Sequence, residues 1–151
     1  RIMLTKKTKY ALRALIYLAN QRNGQPVLIS RLAADEKIPR KFLERILLEL
    51  NNEGILQSKK GKGGGYSLLR HADEIKIGDV VRLMDGPLAP VSCVSKTAYA
   101  RCKECGNEAN CQIRAVMQEV RDAIAEILDN TSLADMMNMG PSTESAWFYV
   151  I

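Results

Sequence analysis

Pro39-Arg40-Lys41-Phe42-Leu43-Glu44-Arg45-Ile46-Leu47-Leu48-Glu49-Leu50 and, three residues on, Gly54-Ile55-Leu56-Gln57-Ser58-Lys59-Lys60-Gly61-Lys62-Gly63-Gly64-Gly65-Tyr66 decide how this chain folds. In the first run Phe42, Leu43, Ile46, Leu47 and Leu50 recur at helical spacing, which predicts one amphipathic helix. Pro39 is expected at its first position, where a missing N–H costs nothing, and Gly54 at its end. The opposite face carries Arg40, Lys41, Glu44 and Arg45. In the second run Ile55–Lys59 and Tyr66–Leu69 have strand length, and the tip between them holds only glycine and lysine, so a hairpin is expected.

A helix with a basic polar face followed by a basic hairpin is the pattern of a winged helix-turn-helix. The helix enters the major groove, and the hairpin reaches phosphates or the minor groove beside it. Glycines at the tip permit positive φ and close backbone approach. The candidate DNA contacts are therefore Arg40, Lys41, Glu44 and Arg45 on the helix and Lys59, Lys60 and Lys62 on the wing. The competing account, an amphipathic helix beside a solvated lysine run, explains each piece alone but not their spacing.

Charge is divided along the 151 residues: residues 1–70 hold 15 Lys and Arg against 5 Asp and Glu, and residues 71–151 hold 7 against 12. A basic half joined to an acidic half suits a polyanion-binding module attached to something kept off the polyanion. At 46% hydrophobic and only 5% aromatic, the chain must pack its core mainly with aliphatic side chains. No apolar run approaches the ~20 residues of a membrane span, and no secretory signal with a cleavage site is visible. The expected compartment is cytoplasmic, where cysteines serve more often as metal ligands or redox sensors than in disulfides. Arg1 and Ile2, ahead of Met3, are set aside from the fold argument.

Upstream, Thr5–Arg22 is expected to form the first helix, with Tyr10, Leu12, Ala14, Leu15, Ile16, Leu18 and Ala19 inward and Lys6, Lys7, Lys9 and Arg13 at its basic start, where they meet either phosphates or solvent. Ile29–Lys37 is a second short helix, with Ser30 as a candidate cap, and Lys37-Ile38-Pro39 is the brief link a helix-turn-helix requires. Downstream, Ile75–Asp85 is helical, broken by Gly86-Pro87. Val91–Asn110 lacks periodicity. Residues 112–129 carry a continuous apolar stripe (Ile113, Val116, Met117, Val120, Ala123, Ile124, Ile127, Leu128) that has to be covered. A second copy of the chain is the expected cover. Thr131 is the candidate cap of a last helix ending before Gly140-Pro141. The fold class is thus mainly α with a small β-hairpin wing. A DNA-binding domain spans 3–85, a cysteine-containing loop 86–111, a dimerisation helix and closing helix 112–139, and a tail without assignable role 140–151.

The cysteines are spaced Cys93-x8-Cys102-x2-Cys105-x5-Cys111. Thiolates select zinc or iron–sulfur centres over hard cations, and a thiol at a helix start, as at Cys111, has its pKa lowered. Spacing leaves zinc, an iron–sulfur cluster and thiol redox sensing all open. A thiol enzyme lacks its parts: the single histidine, His71, lies outside the cysteine segment, and Gly61–Gly65 lacks the Lys-Ser/Thr ending of a phosphate-binding loop.

Residues 3–139 as a whole resemble the winged-helix regulators of the IscR, NsrR and CymR type, the Rrf-two family. The resemblance is carried by Leu4-Thr5-Lys6-Lys7-Thr8-Lys9-Tyr10-Ala11-Leu12-Arg13-Ala14-Leu15, by Ile38–Ile46, by Gly61-Lys62-Gly63-Gly64-Gly65-Tyr66, by Ile77-Gly78-Asp79-Val80-Val81, and by Leu128-Asp129 with Thr131–Asp135. It implies a homodimeric transcription factor, acting as a repressor on a double-stranded DNA operator, whose long helix forms the dimer interface. It also implies a 2Fe–2S or 4Fe–4S cluster in the cysteine loop. By position, Lys41, Glu44 and Arg45 match the base-reading face, Lys60 the wing residue that enters the minor groove, and Cys105 and Cys111 the second and third cluster cysteines. Two positions depart from the family: the histidine expected after the third cysteine is Arg114, and the acidic residue some relatives carry before the first-helix tyrosine is Lys9. Cys93 or Cys102 is left to supply the first ligand, and an all-cysteine set of Cys93, Cys102, Cys105 and Cys111 is the version these departures favour.

Overall fold

The structure, a computed structural model, describes residues 4–140; the tail from residue 141 lies outside them. Six helices and one hairpin follow in the order α1 (Lys6–Ala19), α2 (Ile29–Glu36), α3 (Arg40–Asn52), β1 (Leu56–Lys59), β2 (Gly65–Leu68), α4 (Ile77–Asp85), α5 (Gln112–Asp129) and α6 (Leu133–Asn138). Single 3-10 turns lie at Arg22–Gly24, Ser92–Val94 and Glu108–Asn110.

The periodicity of the first half becomes a closed core. Ala11, Ala14 and Leu15 of α1, Leu32 of α2, Leu43, Ile46, Leu47 and Leu50 of α3, and Ile77, Val80 and Val81 of α4 are buried together. Each large aliphatic side chain so placed contributes about 1.5–3 kcal/mol of transfer free energy. Between α2 and α3, Lys37 takes a left-handed conformation (φ 54°, ψ 46°), which turns the chain sharply, while Ile38 packs into the core. Pro39 stands one residue outside α3 (ψ 124°) rather than at its first position; its carbonyl still accepts the first helical bond, from the Leu43 N–H at 2.9 Å.

β1 and β2 pair antiparallel, with Leu56 opposite Leu68 and Lys59 opposite Gly65. A third segment joins them: Val27 and Tyr66 exchange both backbone hydrogen bonds, at 2.8 and 2.9 Å. This pairing explains Gly65, whose φ is +137° and where an added Cβ would lie 2.2 Å from the Val27 carbonyl oxygen.

The two predicted caps lie one and two positions from the observed ones. Leu28, not Ser30, occupies the N-cap of α2 and makes no side-chain capping bond. Ser132, not Thr131, caps α6 in a reciprocal capping box with Asp135, while the Thr131 hydroxyl donates to the Ile127 carbonyl. Beyond its cap, α6 returns to the first core: Leu133 is fully buried, and its N–H donates to the Ile75 carbonyl at 2.8 Å.

α5 differs from the other five helices. None of its 18 residues is buried. Ile113 is 71% exposed, Ile127 66%, Val116 55% and Val120 37%, and only Ile124 and Leu128 lean on the core. Its C-terminal end is fixed to α4 by Arg82, which donates to both carboxylate oxygens of Asp129 at 2.6 and 2.9 Å, and Gly78 leaves room for that carboxylate. Among the described residues no helix is long and apolar enough to cross a membrane.

Candidate nucleic-acid interface and cysteine site

The helix-turn-helix leaves one face of α3 to solvent. Arg40, Lys41, Glu44 and Arg45 are all exposed, and so are Lys59, Lys60 and Lys62 on the wing. Arg40 pairs with Glu44 one turn on, at 3.1 Å, an exposed i,i+4 contact of a few tenths of a kcal/mol that a phosphate or base edge can displace. The start of α3 and the wing border one concavity of about 220 Å³, lined by Leu28, Ile29 and Ser30, by Arg40, and by Ser58, Lys59, Gly65 and Tyr66. Arg40 and Lys59 therefore stand on the same side of the molecule. The beginning of α2 belongs to that surface too, which sequence reasoning missed because Ser30 read as a cap.

The α1 cations divide. Lys7 donates to both carboxylate oxygens of Glu49 at 2.9 and 2.8 Å. Arg13 is held by Glu36, over the Tyr10 ring. Lys6 and Lys9 are exposed.

The second site is built on the start of α5. Cys93, Cys102, Cys105 and Cys111 all line one cavity of about 300 Å³, together with Val91, Ser92, Glu108, Ile113 and Arg114. All four are free thiols; Cys93 is buried and the other three are partly exposed. Cys111 is the N-cap of α5, and its Sγ accepts the Arg114 N–H at 3.4 Å. That bond, together with a contribution from the Cys105 thiol and the Ile113 N–H, holds the Cys111 thiol below its ordinary range despite desolvation. Cys105 is pushed the other way, by desolvation first and then by its hydrogen bond with Cys111. The two neighbouring thiols are thus shifted in opposite directions.

The donor set, four thiols in one cavity with an apolar wall at Val91 and Ile113, fits a thiophilic centre in chemistry. Among the described residues, however, no three His, Cys, Asp or Glu side chains form a group that could hold one metal ion. The thiols share a cavity rather than a closed ligand sphere. Glu108 at the rim accepts the Tyr99 hydroxyl with both carboxylate oxygens at 2.8 Å; neither residue was singled out by spacing, because their contact depends on the 3-10 turn at Glu108–Asn110.

A sequence profile of the Rrf2 family, described as iron-dependent transcriptional regulators, matches residues 4–139. An rrf2-like helix-turn-helix transcriptional regulator of Rhodobacter capsulatus is 41% identical over 141 residues, covering 91% of this chain and 94% of that one. Among solved structures, CymR, the global cysteine regulator of Bacillus subtilis, superposes with a TM-score of 0.75 at 28% identity, over 93% of this chain and 99% of its own. IscR of T. potens shares the fold, with a TM-score of 0.70 at 23% identity over 97% of this chain and 96% of its own.

Proposed function

This chain belongs to the Rrf2 family of transcriptional regulators, and on that premise we propose that it acts as a cytoplasmic homodimer that represses transcription from a near-palindromic operator. The observation that carries the DNA-binding surface is the concavity shared by Arg40 of α3 and Lys59 of the wing. Two copies, joined along the apolar stripe of α5, present two α3 helices to successive major grooves roughly 34 Å apart. Lys41, Glu44 and Arg45, with Arg40, meet base edges, while Lys59, Lys60 and Lys62 supply phosphate or minor-groove contacts, so affinity falls steeply with salt.

Operator affinity is regulated at Cys93, Cys102, Cys105 and Cys111, the residues that would hold an iron–sulfur cluster (2Fe–2S or 4Fe–4S) or, in its place, zinc. When bound, such a cluster supplies one-electron redox chemistry and sensitivity to oxidants. The chain's own part is to offer the thiols next to the dimer helix, with the Cys111 thiol held below its ordinary range by the Arg114 N–H. A change of state there reaches the reading heads through α5 and the Arg82–Asp129 pair that fixes α5 to α4. A cluster-free regulator that responds through thiol chemistry or a partner protein is the second account, favoured by the lack of any three-ligand group among the described residues.

Two experiments test these statements. In a mobility-shift titration Arg45→Ala should relax sequence preference, and Lys60→Ala should weaken binding with less effect on preference; no change in either variant refutes the interface. Iron and sulfide analysis of protein purified without oxygen, read beside its visible absorption, separates the cluster from the cluster-free account.

A further inference from the structure

The loop that carries the cysteines is joined to α5 by two arginines, seven residues apart and so on the same face of the helix. Arg114 contributes twice: its backbone N–H donates to Cys111 Sγ at 3.4 Å, and its guanidinium Nε donates to the Cys93 carbonyl at 3.3 Å. Arg121 donates from Nη1 to the next carbonyl, that of Val94, at 2.7 Å. Its side chain is only 16% exposed. The turn they hold is itself packed down: Cys93, Val94 and Ser95 are all buried. A guanidinium bond to a carbonyl in so enclosed a place is among the stronger protein hydrogen bonds. Around Cys102 and Cys105 the backbone bonds stay inside the loop, Cys105 N–H to the Cys102 carbonyl at 3.4 Å and Arg101 to the Gly106 carbonyl at 3.5 Å. The Cys105 thiol reaches the helix start through its hydrogen bond with Cys111.

We propose that Arg114 and Arg121 are positioning residues that fix Cys93 against the first three turns of α5. Cys93 and Cys111 then form the anchored half of the four-thiol site, and Cys102 and Cys105 the half carried by the loop. Cys93 is eighteen residues from Cys111 in sequence, yet both are tied to one residue, Arg114. The first thiol of the site is therefore Cys93, recruited by the helix rather than by local spacing. This rests on the cysteines being the regulatory site.

The experiment uses the full chain, reduced and free of metal, under limiting N-ethylmaleimide, with the rate at each cysteine read by mass spectrometry. Cys93 should react slowest in the unaltered protein. In Arg121→Gln and Arg114→Gln its rate should rise about tenfold, as the loss of a charged hydrogen bond shifts a local opening equilibrium, while Cys102 stays within about twofold. Arg121→Lys, which keeps a donor for the Val94 carbonyl, should restore most of the protection. An unmoved Cys93 rate in both glutamine variants, or an equal rise at all four cysteines, overturns the proposal. A second arm titrates the same protein with Cd2+ alone and follows cadmium–thiolate absorption. Loss of part of that band in Cys93→Ser is expected, and an unchanged band excludes Cys93 from the site. If the unaltered protein shows no band, the thiol-centre account fails, and the alkylation rates still decide whether the arginines fix Cys93.

Discussion

The body formed by α1–α4 with α6 and the single helix α5 are built from similar aliphatic residues but finish differently. In the first, Leu15, Leu32, Leu43, Ile46, Leu47, Leu50 and Leu133 are fully enclosed by residues of the same chain. In α5 Ile113, Val116, Val120 and Ile127 are displayed, and none of its residues is buried. Within one chain α5 is held by Ile124, Leu128, the Arg82–Asp129 pair and the bonds of Arg114 and Arg121 to the cysteine loop. Its outer stripe is left for the proposed second copy, whereas α3, the proposed reading head, is supported from behind. The difference teaches that the closed core and the displayed stripe lie in separate parts of the chain, so substitutions should separate stability from the proposed assembly.

The largest effect should come from the closed core. Leu47→Ala should lower the unfolding free energy by about 2–5 kcal/mol, measured by urea denaturation. Ile113→Asp, on the displayed helix, should barely change the stability of one chain. It should instead weaken self-association by about 2 kcal/mol or more if this position lies central in the dimer contact, read by sedimentation; a large loss of stability without dissociation would break the contrast. On the reading head, Arg45→Ala should reduce discrimination between operator and random DNA by about 1–3 kcal/mol, and Lys60→Ala should lower the salt dependence of binding by about one unit of slope. The smallest effect concerns the join between the two regions. The Arg82 guanidinium holds Asp129 below the usual carboxylate range. Its stabilising contribution is therefore complete above the unfolded carboxylate value, about pH 4, and is lost as pH falls through the lower folded value. Asp129→Asn should flatten that acid-side decline by well under 1 kcal/mol, because the pair is partly exposed.

Much of this contrast was legible in the sequence. The inward face of α3 follows from Leu43, Ile46, Leu47 and Leu50, and the exposed stripe of α5 from a hydrophobic period with too little acidic chain left to cover it. Ends were less legible. Ser30 and Ser132 are equally good caps by residue type, and only tertiary pairing, such as Leu133 N–H to the Ile75 carbonyl, decides which residue stands at the helix boundary. Gly65 read as an allowance for DNA, yet its close neighbour is Val27, across a pairing of residues 39 positions apart that local pattern does not reveal. At the cysteine site, spacing left Cys93 and Cys102 equivalent. What distinguishes them is Arg114 and Arg121, long side chains whose reach back to the carbonyls of Cys93 and Val94 is not encoded in any short motif.

In the proposed complex α3 and the wing grip DNA from one face, twice per dimer. Hydroxyl-radical footprinting on a fragment selected from a randomised pool tests it most directly. Two protected patches centred about one helical turn apart, both reduced in Arg45→Ala, are the predicted result. A single patch, or protection unchanged in Arg45→Ala and Lys60→Ala together, would contradict it.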